Sequence, residues 1–371
     1  DPVAWRWYDG TAWTVHTSAA TAGPVTRKPR LPRWLSPPVL VCWVLTVILI
    51  IAIGVSDPFA VLAGLVPLVI VLPVLAWLDR VEPEPRSSRL HALLWGACVA
   101  VVVASVVNTV VAVAFGEVAA MLFSAPLVEE GAKALGIVWA VRRRELDGVT
   151  DGVVYAGWVA VGFAAIEDMT YFSVAKIDGS LLAVFVLRAV LTPFAHPLFT
   201  FWTGLAIGRA VHRGCRLWPH ALWGYGLAVV CHAAWNGSLA WSQVTYEVDE
   251  NVGALVLVGS FVLFFLLFLA VAITLFVARR REQHRFVRSI PALVLRYHVA
   301  PDEARIFREW KPLLRERRSL PRRRRRAFDR VHAALARLSL LHERPGAIDP
   351  STEQVLASQL GEALRDYRRV S

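Results

Sequence analysis

Apolar residues in this chain gather into long blocks rather than being dispersed. The runs from Val39 to Val55 and from Leu255 to Ala278 approach or exceed the roughly 18–20 residues that a helix needs to cross about 30 Å of hydrocarbon. Similar blocks recur along the chain and predict about eight membrane spans, at about 39–56, 59–78, 92–115, 118–141, 152–172, 181–208, 218–241 and 254–278. The sixth is long, and Thr192-Pro193 and His196-Pro197 are expected to break or kink it. Ahead of the spans, the aromatic stretch Trp5 to Thr17, with a turn signal at Tyr8-Asp9-Gly10, predicts a small β module over residues 1–20, followed by a Pro- and Arg-containing linker over 21–38.

The polar positions between the blocks give the orientation. Loops containing Arg80, Arg86 and Arg89, then Arg142 to Arg144, then Arg209, Arg213 and Arg216, are basic. The intervening loops contain no Lys or Arg apart from Lys176. Cytoplasmic loops retain such residues, so the alternation fits a multi-pass protein of the cell membrane with both termini cytoplasmic. After Ala278 the composition turns polar and Arg-rich, which marks residues 279–371 as a separate cytosolic segment. Helical periodicity appears there at Phe328, Val331, Leu335 and Leu338, and again at Val355, Leu356, Leu360 and Leu364. The fold class expected is therefore all-α: a polytopic helical bundle over 39–278 with a small N-terminal β module and a helical C-terminal segment.

Composition agrees with a membrane protein, 56% of the 371 residues being apolar. The excess of 40 Lys and Arg over 29 Asp and Glu lies mostly between spans and in the tail, where an anionic inner leaflet explains it more simply than a nucleic acid partner. None of the four cysteines has metal-ligand spacing to another, no disulfide framework is expected, and no removable signal peptide is evident.

Ionisable side chains inside hydrocarbon need a reason, because each costs about 2.5–3.5 kcal/mol on insertion scales. The fourth span holds Glu129, Glu130 and Lys133, the fifth Glu167 and Asp168, the sixth Arg188 and His196, and the seventh His232 and Asn236. Counted inward from the basic loops at about 1.5 Å per residue, Glu129, Glu167, His196 and His232 all lie about 20 Å deep. Such agreement across four spans predicts one composite site. Asp168 and Arg188 fall nearer the outer ends and are assigned structural or interfacial roles. On the fourth helix Lys133 stands three residues after Glu130 and four after Glu129, so its ammonium can pair with either carboxylate. A charge clip that only holds the bundle together is the plain alternative. His232 and Asn236, one turn apart, can both donate from one face toward a developing oxyanion.

Glu129-Glu130-Gly131-Ala132-Lys133 resembles the Glu-Glu-x-x-Lys signature of the PrsW family of bacterial membrane proteases. Phe163-Ala164-Ala165-Ile166-Glu167 is similar to its second motif, and His232-Ala233-Ala234-Trp235-Asn236 to a His-x-x-x-Asn element shared with the wider CAAX-prenyl protease group. Prenyl-protein proteases usually have His where Glu167 stands, which argues against prenylated substrates. The short Trp7 to Thr14 segment resembles a module often fused to actinobacterial membrane proteins. The family resemblance implies a glutamate-dependent intramembrane endopeptidase with no cofactor, a membrane-anchored protein as substrate and the lipid bilayer as surroundings; its best-known relatives cut a membrane-anchored anti-sigma factor.

The mechanism expected is hydrolysis by an activated water. Glu129 or Glu130 is the base, Lys133 orients the other acid, Glu167 or His196 holds the water, and His232 with Asn236 stabilises the oxyanion. The same side chains permit a Zn-dependent version with Glu130, Glu167, His196 and His232 as ligands. A proton- or ion-coupled transporter is the alternative of another class, although a relay would string its groups through many depths.

Overall fold

A computed structural model of the chain describes residues 5–8, 13–18, 36–81, 83–143, 145–146, 148–297, 299–300, 307, 310–343 and 350–369. The expected linker and the turn at Asp9-Gly10 fall outside these, except for the residues from 36 onward. Near the N-terminus, β1 (Trp5–Tyr8) and β2 (Trp13–Ser18) pair antiparallel, with Trp5 opposite Ser18 and Tyr8 opposite Trp13. A lone two-stranded pair is marginal in water, and beyond that pairing the expectation of a folded β module over 1–20 is not supported. This N-terminal unit and the body from Cys42 onward are separate.

The body is helical. Among the described residues six helices are long and apolar enough to cross a membrane: α1 (Pro37–Ser56), α2 (Pro58–Leu78), α3 (Arg86–Phe115), α5 (Val149–Ile177), α6 (Leu181–His212) and α8 (Glu250–Arg296). The protein is thus a multi-pass membrane protein. The expected count of eight included two further helices, α4 (Ala125–Arg142) and α7 (Leu217–Val248), which do not meet that test. In α4 the reason is Glu129, Glu130 and Lys133, which put three charges into one span length.

Helix α5 is the axis of the bundle, buried along most of its length. It crosses its neighbours at glycines, where only a missing Cβ allows the backbones so close. A Cβ on Gly204 of α6 would lie 2.3 Å from the Gly152 carbonyl oxygen of α5, and one on Gly96 of α3 would lie 1.8 Å from that of Val159. Helices α3 and α4 are locked by the Trp95 indole, which donates to the Ala132 carbonyl at 2.9 Å.

Helix α6 is interrupted as expected, though at one place rather than two. A π-helical turn, Val186–Leu191, leads into a break at Thr192 to Phe194, and the helix resumes at Ala195. Pro197 lies in the first turn of the resumed helix, where its missing N–H has no carbonyl to serve, so His196-Pro197 does not break it.

The last span departs from expectation at its end. Helix α8 runs without interruption from Glu250 to Arg296, past the change in composition at Arg279. Arg, Glu and Gln are good helix formers, and the first proline after Ala278 is Pro291. Where α8 leaves the apolar region, the Arg279 Nε donates to the Trp77 carbonyl at 2.7 Å and the Thr150 hydroxyl to Glu282 at 2.9 Å.

The end of α8 packs with α9 (Trp310–Ser319), α10 (Arg322–Glu343) and α11 (Pro350–Arg369) around a second core containing Phe286, Ile290, Phe328, Leu335, Leu338 and Leu360. The periodic positions on α10 are buried, whereas Val355 of the second set is exposed. His332 lies inside this core against the rings of Phe286 and Phe307. Burial pulls its imidazole down to about 4 from an ordinary value of 6.5. A histidine easier to protonate when unfolded adds stability above pH 6.5 that is lost as pH falls through about 4. Amide hydrogen exchange of α10 in the intact protein, corrected for intrinsic rates, is therefore expected to show protection falling over that window. His332→Phe should flatten the dependence, and an unchanged profile would refute the assignment.

Candidate active site

Four helices bring the expected residues together. On α4, Glu129, Glu130 and Lys133 are all buried, the last two completely. The Lys133 ammonium donates to Glu130 Oε1 at 2.8 Å and to His196 Nδ1 at 3.1 Å, and lies 3.7 Å from Glu129 Oε2. It also stands 4.0 Å over the ring of Phe163, one turn before Glu167 on α5. That contact gives the Phe-x-x-x-Glu spacing a physical sense, because the ring covers the cation while the acid serves the next group along.

The hydrogen bonds set the histidine tautomers. His196 Nδ1 accepts from Lys133, so its proton is on Nε2, which donates to Glu167 Oε2 at 2.7 Å. His232 Nδ1 is 3.3 Å from Glu130 Oε1, an acceptor, so the Nδ1–H donates and Nε2 carries the lone pair. The His232 ring stacks on Phe199 with centroids 4.6 Å apart.

The two adjacent glutamates differ sharply. Glu130 is saturated: Lys133 and His232 bond one oxygen and the Thr200 hydroxyl donates to the other at 2.8 Å. Glu129 receives only the Asn108 amide, at 3.3 Å on Oε1, and Asn108 is itself oriented by the Ser124 hydroxyl at 2.7 Å. Among the described residues Glu129 Oε2 has no hydrogen-bond partner; it is buried 3.7 Å from the Lys133 ammonium and 4.0 Å from His232 Nε2. Glu129, but not Glu130, lines a cavity of about 520 Å³ whose walls also include Glu167, Asp168, Arg188, His196, His232 and Asn236.

Three residues have partners that spacing did not foretell. The Asn236 amide donates to the Met121 carbonyl at 2.9 Å, in the π-helical turn Ala120–Ser124 that precedes α4. That bond braces two helices with one of the two amide N–H groups, and Asn236 also lines the cavity. Asp168 and Arg188 are not peripheral. Arg188 bonds Glu167 at 2.6 Å and Asp168 through Nε, and sits 3.9 Å over Tyr171. Counting by depth alone placed Arg188 too far out, since the break at Thr192 and the length of its side chain bring the guanidinium into the cavity. Asn108 and Thr200 also went unassigned; the signal for Asn108 was a Ser105-x-x-Asn108-Thr109 polar patch within an otherwise apolar span.

A family model described as PrsW family intramembrane metalloprotease matches residues 84–273, just over half of the chain and the whole of this site. The chain belongs to the PrsW family. Two curated relatives carry the name Protease PrsW. That of Clostridioides difficile (strain 630) is 31% identical over 160 residues, covering 41% of this chain and 66% of the relative. That of Geobacillus kaustophilus (strain HTA426) is 28% identical over 151 residues, covering 40% and 65%. The chain thus spans somewhat under two thirds of the length of these relatives. No solved structure matches.

The family description names a metal, and the residues can be tested for it. Among the described residues no three His, Cys, Asp or Glu side chains are placed to share one ion. Both nitrogens of His196 and both oxygens of Glu130 are committed, and the Lys133 ammonium occupies the point between Glu129, Glu130 and His196. As arranged, this PrsW-family site is built around a protein cation and does not fit a Zn ligand set.

Proposed function

We propose that this chain is an intramembrane endopeptidase that hydrolyses a peptide bond of a membrane-anchored protein with water activated by Glu129. The observation that carries the reading is the buried Oε2 of Glu129, without a hydrogen bond among the described residues, on the wall of a cavity beside neighbours that are fixed. A water entering there can donate to Glu129 Oε2 and to His232 Nε2 at once, which holds its remaining lone pairs toward an incoming carbonyl. As the water oxygen bonds the carbonyl carbon, Glu129 takes its proton. When the C–N bond breaks, the same proton passes to the amine.

The other groups keep this geometry. Lys133 and Thr200 hold Glu130, Glu130 holds the His232 tautomer, and His196 links Lys133 to Glu167. The roles need no metal, since a carboxylate base held in a low-dielectric pocket supplies the proton transfer. Eight spans with both ends cytoplasmic complete the reading, supported by the alternation of basic and non-basic loops. The family suggests an anti-sigma factor as one candidate substrate.

The experiment is a comparison of new N-termini in membranes of cells carrying either the wild-type chain or Glu129→Gln. A truncated single-pass protein is expected only with the wild type; identical sets would end the proposal. Metal content measured on the purified, active protein provides a second check. Stoichiometric Zn whose removal abolishes cleavage would overturn the metal-free account.

A further inference from the structure

Peptide hydrolysis also needs a donor for the oxygen that becomes anionic, and the residues first assigned to that task have already spent donors elsewhere. His232 spends its Nδ1–H on Glu130, and Asn236 one of its two amide N–H groups on the Met121 carbonyl. Lys133 has three neighbours for its ammonium and does not line the cavity.

We infer that Arg188 is an oxyanion donor of this site, presenting its guanidinium Nη1 to the carbonyl oxygen of the scissile bond. The inference rests on the proposed peptidase reading. Among the described residues lining the cavity, Arg188 is the one Lys or Arg side chain. Its Nε is bonded to Asp168 and its Nη2 to Glu167, so two of the three nitrogens hold the fork in place. Tyr171 lies under the guanidinium at 3.9 Å and fixes its plane. Among the described residues Nη1 has no hydrogen bond. A donor immobilised before reaction needs no reorganisation as charge develops, and that is the condition for strong transition-state stabilisation. The two carboxylates hold the fork as a carboxylate pair holds any guanidinium, by planar, directed bonds that a lysine could not reproduce. The break at Thr192 acquires a purpose from this, since it ends the π-helical turn from which Arg188 reaches the cavity wall.

The test uses the full chain in lipid vesicles with the membrane-anchored substrate whose cut depends on Glu129. Arg188→Ala is expected to lower kcat by about 10²-fold or more, the scale of losing one oxyanion donor, with KM changed less than about threefold and at least tenfold recovery in guanidinium or ethylguanidinium. If Arg188→Ala is not recovered folded, Arg188→Lys replaces it: charge is kept and the fork lost, so kcat should fall at least tenfold at an unchanged unfolding temperature. A kcat within about threefold of wild type in Arg188→Lys, or a loss in Arg188→Ala that lies in KM and is not recovered by guanidinium, would overturn the inference while leaving the peptidase reading intact. Absence of any Glu129-dependent cut would remove both.

Discussion

Glu129→Gln is expected to abolish cleavage, by three orders of magnitude or about that, while leaving the unfolding temperature close to that of the wild type. The amide is nearly isosteric, keeps an acceptor for Asn108 and removes a carboxylate whose second oxygen has no hydrogen bond among the described residues and only a 3.7 Å approach from Lys133, which keeps its closer partner Glu130. Glu130→Gln should behave differently. There the lost charge leaves Lys133 facing a neutral amide in a buried place and loosens His232 and Thr200, so stability and activity fall together. Breaking a buried ion pair by removing one partner costs about 3–5 kcal/mol. Thermal unfolding in detergent beside a cleavage assay separates the two variants. Equal loss of stability in both, or retained cleavage in Glu129→Gln, would reverse the assignment of base and anchor.

Gly204→Val should be the most damaging substitution far from the acids. Even the first carbon of its side chain would meet the Gly152 carbonyl oxygen at 2.3 Å and the Ala156 Cβ at 2.7 Å, so α5 and α6 must part. Overpacking of this kind costs about 1–3 kcal/mol when side chains can give way, and here the obstacle is backbone. Thr200 and His196 stand one and two turns before Gly204 on α6, so the same displacement pulls them from Glu130 and Glu167. The expected result is a lower unfolding temperature together with loss of cleavage. Gly226→Ala, where a Cβ would meet nothing within 4 Å, serves as the control that changes neither.

Much of the site was legible in the sequence because hydrocarbon makes every charge conspicuous. Glu129, Glu167, His196 and His232 could be grouped from depth, with Glu130 and Lys133 added by their spacing on α4, and the structure brings them into contact. What depth does not carry is azimuth and reach. Which of two neighbouring glutamates faces the cavity depends on how α4 is turned against α5, α6 and α7, and no spacing within α4 encodes it. For the same reason the bond from Asn236 to the Met121 carbonyl could not be foreseen, since that carbonyl lies in a π-helical turn that the sequence does not announce. Arg188 shows the complementary failure, because a long side chain acts at a level its Cα does not occupy. In the fold, six of the eight blocks found by hydropathy correspond to helices long and apolar enough to span, yet hydropathy put the end of the last one at Ala278, where the composition changes and the helix continues.

That continuity has a mechanical consequence. Helix α8 has 47 residues, and the stretch ahead of Pro291, from Glu250 to Ile290, is at 1.5 Å per residue a rod about 60 Å long. One end carries Phe286 and Ile290 into the C-terminal core, and farther along Phe264 presses on Trp235 and Phe199, which wall the chamber. A lever without a joint transmits tilt, so anything that grips or crowds the tail bundle tugs on the aromatic lining next to His232.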